Sequence, residues 1–263
     1  MIYSCCKKIK IKIQLLNKQM VKLIITAITL FPFLFAGEIS ASERPKGLED
    51  RGPLTKITFI HHKKGMAKPE GIGKGNNISC YGFLGKGVYW KNNLPRTLYV
   101  NTESFTGLDS NFVLTAISNS AEEWDSATVK DLYSTSIASA SANWDDASPD
   151  GQSELVQSLY PDAGVIAVTN VWGYFAGPIN TREIVDFDIL FNSSFAWGDA
   201  TSDSSKMDLA NIATHELGHG WGLGDIYQSG CSLVTMYGYS TEGEISKRSL
   251  ESADISGLTR LYY

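Results

Sequence analysis

The sequence predicts an α+β domain, and three observations carry that expectation. IVDFDILFNSSFAW alternates Val185, Phe187, Ile189 and Phe191 against Asp186, Asp188, Leu190 and Asn192, mostly the period of a strand with one buried face. AGVIAVTNVWGY, just before it, is a strong second strand candidate. Two other segments repeat at helical spacing instead: GLDSNFVLTAISNSAEEWDSA, through Phe112, Val113, Ala116, Ile117 and Trp124, and SSKMDLANIATHELGH, through Leu209, Ala213 and Leu217 with Ile212 beside them. The order is strand, helix, several strands, then helices.

The elements follow along the chain. KKIKIK, Lys18 and Lys22 make a basic stretch, an apolar run follows from Leu23 to Ala36, and small residues come next in GEISASE. That order reads as a secretory signal over residues 1–42, with cleavage between 36 and 42 and a start at Met1 or Met20. The run is shorter than the ~20 apolar residues a membrane span needs; a retained N-terminal anchor is the alternative. Residues 43–79 are rich in Gly, Lys and Pro and read as a linker or short pro-segment, interrupted by the strand-like KITFIHH. His61 and His62 lie in that run. Neighbouring strand residues point to opposite faces, and a surface position is expected for both. The catalytic domain is expected over residues 80–263. It opens with a strand around Thr97–Asn101, then a helix capped by Asp109 or Ser110, and a later helix capped by Ser205 with Asp208 in its first turn.

A formal charge of -5 over 263 residues argues against a nucleic-acid binder, which would carry a concentrated basic face. Of four cysteines, Cys5 and Cys6 fall in the signal. Cys80 and Cys231 remain as an even pair in an exported, disulfide-permissive setting. A bridge would tie the start of the domain to the region after HELGHGWGLGD; the alternative makes Cys80 a thiolate that blocks a metal.

HELGHGWGLGD runs from His215 to Asp225 in a chain with only four histidines. At ~100° per residue His215 and His219 lie about 40° apart on one helix stripe, so two imidazoles one turn apart can meet a single ion. Glu216 points ~100° away from His215, close enough to reach an attacking water without being a ligand. A zinc hydrolase needs three protein ligands and an open position, and Asp225 is expected as the third. Gly222 is expected to end the helix in a conformation other residues avoid, which lets the chain swing back with Asp225. Zinc then polarises the substrate carbonyl and acidifies water, while Glu216 is the general base.

HExxHxxGxxD followed by TMYGY at Met236 resembles the metzincin zinc endopeptidases, most closely the prokaryotic matrixin-like proteases. An aspartate third ligand also resembles snapalysin. The resemblance covers residues 80–263. It implies His215, His219 and Asp225 as ligands of one catalytic Zn2+, Glu216 as the base, and Met236 as the apolar floor beneath the metal. It implies a twisted mixed sheet with a back helix, an active-site helix and a C-terminal helix, the last fitting SLESADISGLTRLY, with Asp254 bracing the methionine turn. Substrate would lie along the edge strand, with FNSSFAW as the candidate for that edge or its neighbour. Protein or peptide substrates, a secreted monomer and no stable membrane association follow as expectations. The chain departs from matrixins in lacking the histidines of a second zinc site, the proline after the methionine and a cysteine-switch prosegment. Calcium is common in such folds, but no loop here has a diagnostic spacing. Two other classes compete: a non-heme Fe(II) enzyme, since two His and one carboxylate also form that triad, and a catalytically silent secreted metal-binding module.

Overall fold

The computed structural model describes residues 51–66 and 79–263; the expected signal segment lies outside them. The strands are β1 (Leu54–Lys63), β2 (Gly82–Phe83), β3 (Arg96–Val100), β4 (Tyr133–Ala138), β5 (Ser153–Ser158), β6 (Val165–Tyr174), β7 (Glu183–Asn192), β8 (Trp197–Gly198), β9 (Met207–Asp208), β10 (Leu223–Gly224) and β11 (Tyr239–Ser240). The helices are α1 (Ser110–Asp125), α2 (Leu209–Gly220) and α3 (Ser252–Leu261). Seven strands form one mixed sheet in the order β11-β1-β6-β7-β5-β3-β4. Strands β4, β3, β5 and β7 are parallel, β6 runs against β7, β1 runs against β6, and β11 is parallel to β1. The fold is the α+β arrangement expected, with α1 behind, α2 beneath the site and α3 at the C-terminus. No helix among the described residues is long and apolar enough to cross a membrane.

Helix α1 is capped by Asp109, whose carboxylate accepts from the Asn111 and Phe112 amides at 3.0 Å each. It buries Val113, Ala116, Ile117, Ala121 and Trp124, and Trp124 donates its indole N–H to Thr214 O at 2.7 Å, which locks α1 onto α2. Helix α2 starts later than expected. Met207–Asp208 pairs with Trp197–Gly198, so the chain stays extended until Asp208. That residue caps the helix by accepting from Asn211 N at 2.8 Å, whereas Ser205 bonds back to Asp203 at 2.6 Å. One buried face was the expectation for α2. Instead every residue from Asn211 to Gly220 is buried, because the helix lies between the sheet, α1 and the chain after Asp225. Its polar side chains therefore need partners inside the protein. Asn211 has two, Ser240 Oγ at 3.2 Å and the Lys247 amide at 2.7 Å.

β7 departs from the one-faced reading for a related reason. Phe187, Ile189 and Phe191 enter the core as expected, but Asp186 and Asp188 are fully buried too, covered by the chain leading into β5. Asp186 Oδ2 accepts from the Asp150 and Gly151 amides at 3.1 and 2.8 Å, and Asp188 Oδ1 from Glu154 N at 3.1 Å. Burial, then the neighbouring Asp186, pushes Asp188 up to about 9. A folded-state value so far above the unfolded ~3.9 gives a stability contribution that is complete below pH 4 and lost as pH rises towards 9. Urea unfolding midpoints should fall between pH 5 and pH 9, and Asp188→Asn should flatten that fall. An unchanged slope in the variant would exclude Asp188 as its source.

The bridge Cys80–Cys231 is present, spanning 151 residues. FNSSFAW does not form the edge. Phe191 and Asn192 end β7, which lies between β5 and β6 inside the sheet. A turn follows, and Trp197 pairs in the separate β8–β9 ladder.

Candidate metal centre

Helix α2 presents His215 and His219 one turn apart, their rings 4.9 Å between centroids and nearly perpendicular. The tautomer of each is set from behind. His215 Nδ1 lies 2.7 Å from Thr235 O and His219 Nδ1 2.9 Å from Leu223 O. Donation of Nδ1–H to those carbonyls leaves both Nε2 lone pairs facing the same space. The helix stops at Trp221, and Gly222 takes φ +108°, a backbone that side chains resist. The chain reverses there. Ile226 N then bonds Met236 O at 2.8 Å and Gly238 N bonds Ile226 O at 2.9 Å, which docks the returning segment on the methionine turn.

This reversal brings Asp225 Oδ1 to 3.2 Å from His215 Nε2 and 3.5 Å from His219 Nε2. The other oxygen accepts from Tyr227 Oη at 3.1 Å. Burial works against ionisation of Asp225, but His219 and His215 outweigh it and hold the carboxyl well below its ordinary range. His215 is lowered to about 4, by burial and then by His61. Burial also lowers His219, yet the Asp225 carboxylate overcomes this and raises it. Both His215 Nε2 and Asp225 Oδ1 are buried without a hydrogen-bond partner, a costly state for polar atoms. Two imidazoles and a carboxylate converging on one point suit a divalent cation such as zinc, with one position left over. The trio fits a metal by its own chemistry.

Met236 is fully buried and lies against α2 where Gly218 has no side chain; a Cβ there would strike Met236 Sδ and come within 2.8 Å of Trp124. Asp254 holds the methionine turn, accepting from Thr235 N at 2.9 Å and Met236 N at 3.2 Å. Its own position is fixed by the capping box of α3 with Glu251.

Glu216 is fully buried. Thr169 of β6 donates to its Oε2 at 2.5 Å, and His61 Nδ1 stands 2.9 Å from Oε1. Burial raises Glu216, against the lowering pull of His215, His219 and the Thr169 hydroxyl. His61 is the largest departure from the sequence reading. It is not on the surface but 1% exposed, its ring 4.0 Å from that of His215, with Phe59 stacked on His219 at 3.9 Å. The signal was available: Ile57, Phe59 and His61 share one face of a strand, so His61 belongs with the apolar pair. His62, on the other side, stays half-exposed. Thr169 and Tyr227 carried no such signal.

The family model of the matrixins matches residues 171–263, from within β6 through α2, Asp225, Met236 and α3. No curated protein matches the chain. Over that C-terminal stretch the chain is matrixin-like, which supports the metzincin relationship and, in general terms, a zinc metalloendopeptidase acting on proteins.

Proposed function

We propose that this chain is a secreted zinc-dependent endopeptidase in which His215, His219 and Asp225 hold one catalytic ion and Glu216 moves the proton. The observation that carries the reading is the pair of buried acceptors without a hydrogen-bond partner, His215 Nε2 and Asp225 Oδ1, next to the buried Glu216 carboxylate that Thr169 holds. When bound, zinc supplies Lewis acidity to the scissile carbonyl and to the attacking water. Glu216 takes the proton of that water on a carboxylate oxygen and delivers it to the leaving amine. The Thr169 hydroxyl fixes the carboxylate against β6. Thr235 O and Leu223 O keep the two imidazoles in the tautomer that ligates, and Tyr227 steadies Asp225 through Oδ2. The apolar run and small-residue zone at the N-terminus support export.

Metal analysis and a peptide-library digest test this together. Purified protein should carry one zinc per chain, and a chelator should remove both the metal and any peptide cleavage, with zinc restoring them. His219→Ala and Asp225→Ala should each lower zinc affinity sharply. Full zinc occupancy in both variants would sink the ligand assignment.

A further inference from the structure

The segment after β11 carries a lysine whose whole side chain is inside the protein. Lys247 lies in a short turn, Ser246–Arg248, and is fully buried. Its amide donates to Asn211 Oδ1 at 2.7 Å, and Asn211 lies on α2 one helical turn before His215. The side chain reaches β11, where its ammonium donates to Tyr239 O and stands 5.8 Å from the centre of the Tyr237 ring. An ammonium has three N–H donors. Among the described residues, Tyr239 O is its acceptor, and its ion-pair partner, Glu244 Oε1, is 3.8 Å away. Glu244 is engaged elsewhere, its oxygens accepting from Ser240 Oγ at 2.6 Å and Ser246 Oγ at 3.1 Å. A buried charge with donors to spare is costly. The packing of β11 on α2 has its own hydrogen bond, from Asn211 Nδ2 to Ser240 Oγ at 3.2 Å. Burial lowers Lys247 to about 8, against the pull of Glu244, so the amine is mostly protonated at neutral pH.

That charge is felt at the metal centre. Asp225 and Glu216 are among the groups that act on Lys247. Of the charged groups around His61, Lys247 acts on its ring most strongly. His61 in turn stands 2.9 Å from Glu216 Oε1, with its ring 4.0 Å from that of His215. Position 61 therefore gauges a space bounded by Glu216, His215 and Lys247. A substrate residue at the bond being broken has its backbone at the ion and Glu216, so its side chain enters the same space.

We infer that Lys247 is a specificity-determining residue: its ammonium receives the carboxylate of an aspartate or glutamate beside the scissile bond, so that acidic peptides are cut in preference to neutral ones. The carboxylate takes the N–H groups that Tyr239 O leaves free. A hydrogen bond between two charged groups is of the strong kind, and here it also offsets the cost of the buried ammonium. The inference deepens the hydrolase reading and rests on it for the identity of the ligand as a substrate. The acid-accepting space beside Glu216 stands without it.

Paired peptides that differ only in Asp against Asn, or Glu against Gln, beside the cut bond test this on the zinc-loaded chain. The acidic member should have the higher kcat/KM by about 10–100-fold, the worth of one hydrogen bond to a charged group. Lys247→Met should abolish that ratio, and Lys247→Arg should keep most of it. Each result is a ratio within one variant, so partial loss of folded protein cancels. A second readout needs no hydrolysis. Urea midpoints of the full chain carrying His61→Glu or His61→Gln are compared with and without Lys247→Met, which should lower the midpoint further beside His61→Glu than beside His61→Gln. Where hydrolysis is measurable the peptide ratios decide: no acidic preference, or one that survives Lys247→Met, overturns the inference and leaves Lys247 as a structural lysine of its turn. Where no form cuts any peptide the midpoints decide. A larger loss beside His61→Glu then supports the acid-accepting space and removes the protease reading, and equal losses overturn the inference.

Discussion

Glu216→Gln in the zinc-loaded chain is expected to lower kcat/KM for peptide hydrolysis by about 10²–10⁴-fold, the range lost with a general acid–base. Zinc content should be unchanged. The amide has the carboxylate's shape, and its oxygen still accepts the Thr169 hydroxyl that now donates at 2.5 Å. What it cannot do is take a proton from water. The metal analysis separates this from a damaged site, because His215 and His219 are oriented by Thr235 O and Leu223 O and do not depend on Glu216. Hydrolysis that persists at full rate with the metal in place would remove Glu216 from the mechanism and point to a base elsewhere.

Replacing Cys80 and Cys231 together by serine is expected to cost up to about 5 kcal/mol of unfolding free energy, the chain-entropy figure for so long a loop. The 151-residue separation encloses five of the seven strands of the sheet, β3 to β7, together with α1 and α2. The bridge also anchors locally. Cys80 precedes β2, which pairs with β10 at Leu223 opposite Phe83, and Cys231 lies between Asp225 and Met236. Without the bridge, the segment that carries Asp225 back to the histidines still has β10 and the two hydrogen bonds of Ile226 with Met236 and Gly238, but loses its covalent anchor to the chain before β2. Denaturant unfolding of the double variant under non-reducing conditions measures the loss. A change below about 1 kcal/mol would mean that the unfolded chain is already compact across this loop.

The sequence was most legible where local geometry alone sets the outcome. Alternation in 185–191 placed Phe187, Ile189 and Phe191 in the core, and the spacing of Val113, Ala116, Ile117 and Trp124 marked the buried stripe of α1. It was less legible where burial has a second source. Nothing local says that the chain before β5 covers Asp186 and Asp188, or that Met207–Asp208 pairs with β8 and delays the start of α2. In the candidate site, the return of Asp225 towards the histidines was legible because Gly222 marks a reversal, whereas Tyr227 lies two residues past the motif and Thr169 arrives from β6, a neighbour in space that the motif does not encode.

By itself, then, the sequence determined what one helical turn and one glycine can do: two imidazoles on one helix stripe four residues apart, a carboxylate beside them, and a chain that turns back after Gly222. Only the tertiary structure decided what lies over them. A strand's partner is set by hydrogen bonds between segments far apart in the chain, here β1 with β6 and β11, and a lone alternating run such as KITFIHH carries no local mark of which edge it will join. That pairing, not any motif, put His61 against Glu216.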